Sequence, residues 1–133
     1  MFKGIFITVR SGSSRLPNKA LKEINGMATI EYLITRMKTS QEADKIVVCT
    51  TTLEPDSKIC NLAEKNGVHF YRGSVEDKLV RCREAAKKYN IEYFVNVDGD
   101  DLFCSTELID MAFRQYDIDN HDFIKTKEED LVC

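Results

Sequence analysis

The chain contains no tryptophan, two prolines (Pro17 and Pro55), six glycines and two histidines (His69 and His121) in 133 residues. So little histidine gives scant support to an imidazole-based metal site or a histidine general base. No apolar run approaches the roughly 20 residues that a bilayer-spanning helix needs, and the N-terminus has no signal-peptide pattern. The expectation is a cytoplasmic protein with no membrane partner. Five cysteines (Cys49, Cys60, Cys82, Cys104 and Cys133) are odd in number and show no C-x-x-C spacing, which favours buried free thiols over zinc or a disulfide frame. Neither the P-loop pattern G-x-x-x-x-G-K-[ST] nor the dinucleotide fingerprint G-x-G-x-x-G occurs. Repeats, low-complexity tracts and Pro- or Gly-rich linkers are missing too, so residues 1–133 read as a single domain.

What is present is unevenly charged. Residues 1–40 carry seven bases and two acids, residues 41–97 nine of each, and residues 98–133 three bases and eleven acids. A basic front with an acidic tail argues against nucleic-acid binding, which wants a continuous positive face. It suits a site where cations meet phosphate on one side and carboxylates hold a metal on the other. Solvated surface charge explains the far tail equally well.

Short apolar runs alternate with helix-period segments, the pattern of βαβ units around a parallel sheet. Strands are expected near 3–9, 45–50, 68–71 and 92–97, with a fifth over 121–126. A helix is expected over 28–39, with Ile30, Leu33, Ile34 and Met37 inward, just after an Asn25-Gly26 turn. A second spans about 55–66 and stops at Gly67. A third, over 75–89, has Ser74 as its N-cap and Val75, Leu79, Cys82, Ala86 and Tyr89 inward. The last runs from about 106 to 116 with Leu108, Met111 and Ala112 inward. Leu131-Val132-Cys133 reads like the opening of a further strand, which suggests a fragment or a short relative of a longer protein.

Two clusters carry chemistry. Directly after the first strand, Arg10, Arg15 and Lys19 are spaced along a small-residue turn with Gly12 and Ser13, whose backbone N–H groups can face an anion. A surface loop solvated by its own cations is the plain alternative. The second cluster, Asp98-Gly99-Asp100-Asp101, follows the strand near 92–97. Its carboxylates can hold a hard cation such as Mg²⁺, or can merely approach a helix N-terminus. In open parallel sheets, ligands bind beyond the carboxyl ends of the strands at a switch in connection direction. If the first and fourth strands are neighbours, the two clusters share that crevice. Asp117, Asp119, Asp122 and Glu128 only superficially resemble a calcium loop, since Asp122 stands where Gly is required.

The run ITVRSGSSRLPNKALKEINGMATIEYLITRM, with the blocks KIVVCTT, Arg72-Gly73-Ser74 and Val97-Asp98-Gly99-Asp100-Asp101, resembles the cytidylyltransferases that activate sugar acids. The nearest type is the spore-coat-polysaccharide and acylneuraminate group, and the resemblance covers its N-terminal half. It implies a three-layer α/β/α, Rossmann-like, mostly parallel sheet of the nucleotide-diphospho-sugar transferase type, with strand order 3-2-1-4. It also implies catalytic contacts to triphosphate from Arg15 and Lys19, with Arg10 and Ser13 binding the nucleotide. Thr50, Thr51 and Arg72 would line the base end, and Asp100, with Asp98 next, would hold Mg²⁺. The partners implied are CTP and an acidic sugar, with room for a homodimer. The chain departs from the usual residues at Thr8, Ser11, Asn18 and Leu102. Transfer of CMP to an acidic sugar with release of pyrophosphate, for surface glycan synthesis, is the implied activity. A CTP-binding domain without turnover, or a nucleotidyltransferase for another base or a sugar phosphate, stays open, as does the weaker case of a glycosyltransferase.

Overall fold

The computed structural model describes residues 1–12 and 18–119. Its centre is strand β1 (Phe2–Thr8), whose Ile5, Phe6 and Ile7 are fully buried because both faces of the sheet are covered. Parallel neighbours flank it. Strand β4 (Lys45–Thr51) pairs on one side and carries β5 (His69–Gly73) beyond it, while β6 (Ile91–Asp98) pairs on the other. The order β5-β4-β1-β6 is the expected one.

Strand alternation divides the core into two. Ile5, Ile7, Val48 and Val97 point to the face covered by α1 (Thr29–Met37), α2 (Ser57–Lys65) and α4 (Thr106–Asp119). Phe6, Val47 and Cys49 point the other way, onto Cys82 and Ala85 of α3 (Lys78–Tyr89). The result is the three-layer α/β/α sandwich. In α1 the four positions Ile30, Leu33, Ile34 and Met37 are all buried as expected. Asn25 and Gly26, both with positive φ, join the two-residue strands β2 (Glu23–Ile24) and β3 (Met27–Ala28) in a hairpin. Gly67, at φ +72°, ends α2 as its C′ residue, its N–H donating to the Glu64 carbonyl. Cys49, Cys60 and Cys82 are buried free thiols.

Two helices depart from expectation. Helix α3 begins three residues later than the Ser74 cap implied. Asp77 is the N-cap, its Oδ1 accepting from the Val80 N–H at 3.1 Å, while the Ser74 hydroxyl accepts from the Asp77 N–H. The shift turns Leu79 outward, 82% exposed, and brings Arg81, Cys82 and Ala85 inward. Buried Arg81 donates its Nε–H to the Ser74 carbonyl at 3.0 Å. In α4 the inward positions are Ile109, Asp110 and Phe113, while Met111 is 57% exposed. Asp110 displaces the apolar stripe because its carboxylate caps the turn after α1, accepting from Ser40 Oγ and from the N–H groups of Gln41 and Glu42. The fifth strand over 121–126, His121 and Cys133 lie outside the described residues.

Asp110 and Glu31 are buried carboxylates held by donors. For Asp110, burial pushes the carboxyl up, but the Gln41, Ser40 and Glu42 hydrogen bonds outweigh it and hold it below its ordinary value of 3.8. For Glu31, burial is likewise outweighed by Lys65, Asn66 and the Ala28 N–H, and the carboxyl sits below 4.5. Both groups bind protons more readily in the unfolded chain. Their contribution is therefore present above the ordinary carboxylate range and is lost as pH falls through the lower folded values. Urea unfolding midpoints should be level from pH 7 to pH 5 and fall steeply below pH 4 by this linkage. Asp110→Asn should cost about 1–3 kcal/mol at pH 7 and flatten part of that acid limb; an unchanged limb would remove Asp110 from the account.

Candidate active site

Beyond the carboxyl ends of β1 and β6 lies a crevice of about 260 Å³, lined by Thr8, Val9, Arg10, Lys19, Ala20, Asp98, Gly99 and Asp100. The basic turn after β1 and the acidic turn after β6 thus face each other, at the junction where the sheet's connections diverge. What brings them together is a close backbone approach. The Gly99 N–H donates to the Thr8 carbonyl at 2.9 Å, extending the β1–β6 ladder by one bond. A Cβ on residue 99 would stand 2.6 Å from Val9 Cβ and 2.7 Å from its Cγ2, so only glycine fits. Gly12, by contrast, has open space where a Cβ would be. The sterically demanded glycine of the site belongs to the acidic turn.

Across the crevice, Lys19 Nζ stands 3.5 Å from Asp100 Oδ2. Lys19 itself is seated by backbone: its carbonyl accepts from the Thr29 hydroxyl at 2.8 Å. Asn18, just before it, adopts φ +60°, the left-handed conformation that asparagine tolerates in place of glycine. Asp98 Oδ1 accepts from Lys78 Nζ at 2.9 Å. Lys78 is a site residue that sequence reasoning missed. With Ser74 taken as the cap, Lys78 falls in the body of a helix; with Asp77 as the cap it is the first helical residue and reaches the end of β6. The acidic turn is tied down by tight backbone bonds, Asp101 N–H to the Asp98 carbonyl and Leu102 N–H to the Asp100 carbonyl. A proline at 102 would lack that second donor. Arg36 Nε anchors the following segment by donating to the Cys104 carbonyl at 2.7 Å.

The expected base-end residues are placed differently. Thr50 and Thr51 are wholly buried and do not line the crevice. The Thr51 hydroxyl donates to Asp56 and accepts from the Leu53 N–H. Thr50 Oγ1 makes no well-formed hydrogen bond, although the hydroxyl helps to hold the Asp56 carboxyl down. Arg72 clamps the turn after β4 instead of facing solvent, donating to the carbonyls of Thr51 and Leu53 and to the Ser57 hydroxyl. In this structure the Thr51 and Arg72 side chains engage protein, because the β4 turn needs its polar groups satisfied where it is buried. Ser13 and Arg15 lie outside the described residues. Arg10 is exposed at the crevice. His69 sits at the opposite end of the sheet against Tyr89, away from the site.

Among the described residues no three carboxylate, thiol or imidazole groups gather into a metal cage. The donor set at the crevice is two exposed carboxylates, Asp98 and Asp100. Hard oxygen donors so few in number fit a Mg²⁺ that keeps most of its waters and shares phosphate oxygens, and would not fit a fully enclosed site.

The sheet order and crevice define a three-layer α/β fold with a ligand cleft at its switch point. The chain superposes on a cytidylyltransferase from Leptospira borgpetersenii with a TM-score of 0.84 at 34% identity, covering 90% of this chain and 50% of that one. The fold is shared with a CMP:2-keto-3-deoxy-manno-octonic acid synthetase solved with CTP, at a TM-score of 0.76, 22% identity and coverage of 90% and 49%. In sequence it is 30% identical over 117 residues to the spore coat polysaccharide biosynthesis protein SpsF of Bacillus subtilis, covering 83% of this chain and 48% of that protein. Residues 5–132 match the cytidylyltransferase family, and the chain belongs to it. It spans about half the length of the relatives it matches.

The Val9–Gly99 contact generates a prediction about the crevice. Gly99→Ala should destabilise the chain by about 1–3 kcal/mol through overpacking. In a double-mutant cycle with Val9→Gly, most of that loss should be recovered in the second background. Strict additivity, read from urea unfolding, would show that the two turns do not meet as described.

Proposed function

We propose that the crevice takes the triphosphate of CTP and that the protein serves transfer of CMP to an acidic sugar, with release of pyrophosphate, in surface glycan biosynthesis. The observation that carries this reading is the facing of Lys19 and Asp100 across one crevice, at the carboxyl end of a parallel sheet. Arg10 and Lys19 would take the β- and γ-phosphates and neutralise the departing pyrophosphate, with Arg15 joining them by resemblance. Such transfers rest on positioning and charge neutralisation more than on covalent chemistry by the protein. Asp100, with Asp98, would hold a Mg²⁺, whose chemistry is to bridge phosphate oxygens and offset the charge that builds on them. Lys19 and Lys78 pair with the same two carboxylates. The acidic acceptor and the glycan role are supported by relatives named for spore coat polysaccharide synthesis and for a keto-deoxy sugar-acid synthetase.

Nucleotide binding without turnover is a second reading that the same crevice would serve. Pyrophosphate release with a panel of sugar acids separates the two. For the shared step, CTP with Mg²⁺ should raise Tm more than ATP, GTP or UTP does, and equal or absent shifts would count against cytidine. Lys19→Ala and Asp100→Ala should each weaken CTP–Mg²⁺ binding about tenfold, as expected for losing a charge-assisted contact. Unchanged affinity in both would reject the crevice as the triphosphate site.

A further inference from the structure

Asp56 lies outside the crevice, in the turn that leads into α2, yet it is 1% exposed and carries a charge. Burial at that level is costly unless donors surround the carboxylate. Here they come from two strand ends. Oδ1 accepts from the Ser11 N–H at 2.7 Å and from the Ser11 hydroxyl at 2.6 Å, and Oδ2 accepts from the Thr51 hydroxyl. Burial pushes the carboxyl up, but these bonds outweigh it and keep the group ionised below its ordinary value of 3.8. Ser11 in turn closes the basic turn on itself, its carbonyl accepting from the Asn18 N–H at 2.8 Å. Arg10 immediately precedes Ser11 and Lys19 immediately follows Asn18. One buried carboxylate therefore fixes the points from which both crevice-lining cations leave the backbone.

We infer that Asp56 is a positioning residue for the triphosphate: acting through Ser11, it holds Arg10 and Lys19 ready for a polyphosphate. The inference rests on the nucleotide reading above. Because Asp56 occupies the Ser11 N–H, that amide is a strut of the turn and does not donate to the ligand. Fixing the backbone at Ser11 and Asn18 before a ligand arrives lowers the ordering cost of binding. The benefit falls on the phosphates and not on the base.

Titration calorimetry with Mg²⁺ and, separately, CTP, CMP and inorganic tripolyphosphate tests this on the whole chain. Ser11→Ala, which keeps the Asp56 bond to its N–H, should weaken CTP and tripolyphosphate about fivefold to tenfold, the worth of one hydrogen bond to a charged group, and leave CMP unchanged. Asp56→Asn should weaken them further. Asp110→Asn removes another buried, donor-held carboxylate remote from the crevice; it should lower Tm while leaving tripolyphosphate affinity at the wild-type value. If folded Ser11→Ala retains the wild-type ratio of CTP to CMP affinity, Asp56 serves stability alone and the inference fails. A wild-type chain that binds neither CTP nor tripolyphosphate refutes the nucleotide reading itself, and this inference with it.

Discussion

The contact between Val9 and Gly99 is the constraint on which the site depends. A parallel sheet leaves its carboxyl ends splayed, and turns leaving adjacent strands ordinarily diverge. Here the β1–β6 ladder runs one bond further, through the Gly99 amide to the Thr8 carbonyl, and the Val9 side chain occupies the volume a Cβ at 99 would need. The acidic turn is thereby pressed onto the basic one. Three of the crevice charges take their positions from that seam: Arg10 next to Val9, and Asp98 and Asp100 on either side of Gly99.

The ion pairs across the crevice are of a kind that contributes little to folding. Lys19, Asp100, Lys78 and Asp98 are all about half exposed or more, and pairs of that sort are typically worth under about 1 kcal/mol. Weak pairing is an advantage at a binding site. A guest bringing its own phosphates and cation can exchange partners with these side chains at small cost, whereas breaking a buried pair would leave a stranded charge. The strongly held charges stand one layer back. Asp56, Asp110 and Glu31 are buried, donor-satisfied and attached to turns and helix ends, so they stiffen the frame without facing the ligand.

Much of this was legible in the sequence for reasons that are themselves physical. The apolar run Gly4–Ile7 announces β1, and the 3.6-residue spacing of α1 survives because Glu31, the charged residue buried beside its apolar stripe, is met by donors. The two charged clusters stand directly after strands, so the topology alone brings them to one end of the sheet. Less legible was anything set by competition between polar groups. Ser74 and Asp77 are both good caps, and three-residue spacing cannot tell which side chain wins the amide; the answer moves Lys78 from a helix body into the site and turns Leu79 to solvent. Thr50 and Thr51 read as ligand groups because they end a strand beside the crevice. Their hydroxyls are instead turned inward, toward a carboxylate that local pattern gave no reason to single out.

That carboxylate shows why the departures from the family's usual residues are informative. Ser11 is one such departure, and its N–H can reach Asp56 whatever the side chain, because that bond and the Asn18 bond to the Ser11 carbonyl use main chain on the Ser11 side. The hydroxyl then adds a second donor to the same oxygen. Asn18 belongs to the same reasoning. Its left-handed conformation, φ +60°, is one that asparagine tolerates, and it stands between the bond that closes the turn and Lys19. Ser11 and Asn18 thus secure the two points from which Arg10 and Lys19 leave the backbone, one through a buried carboxylate and the other through a left-handed residue.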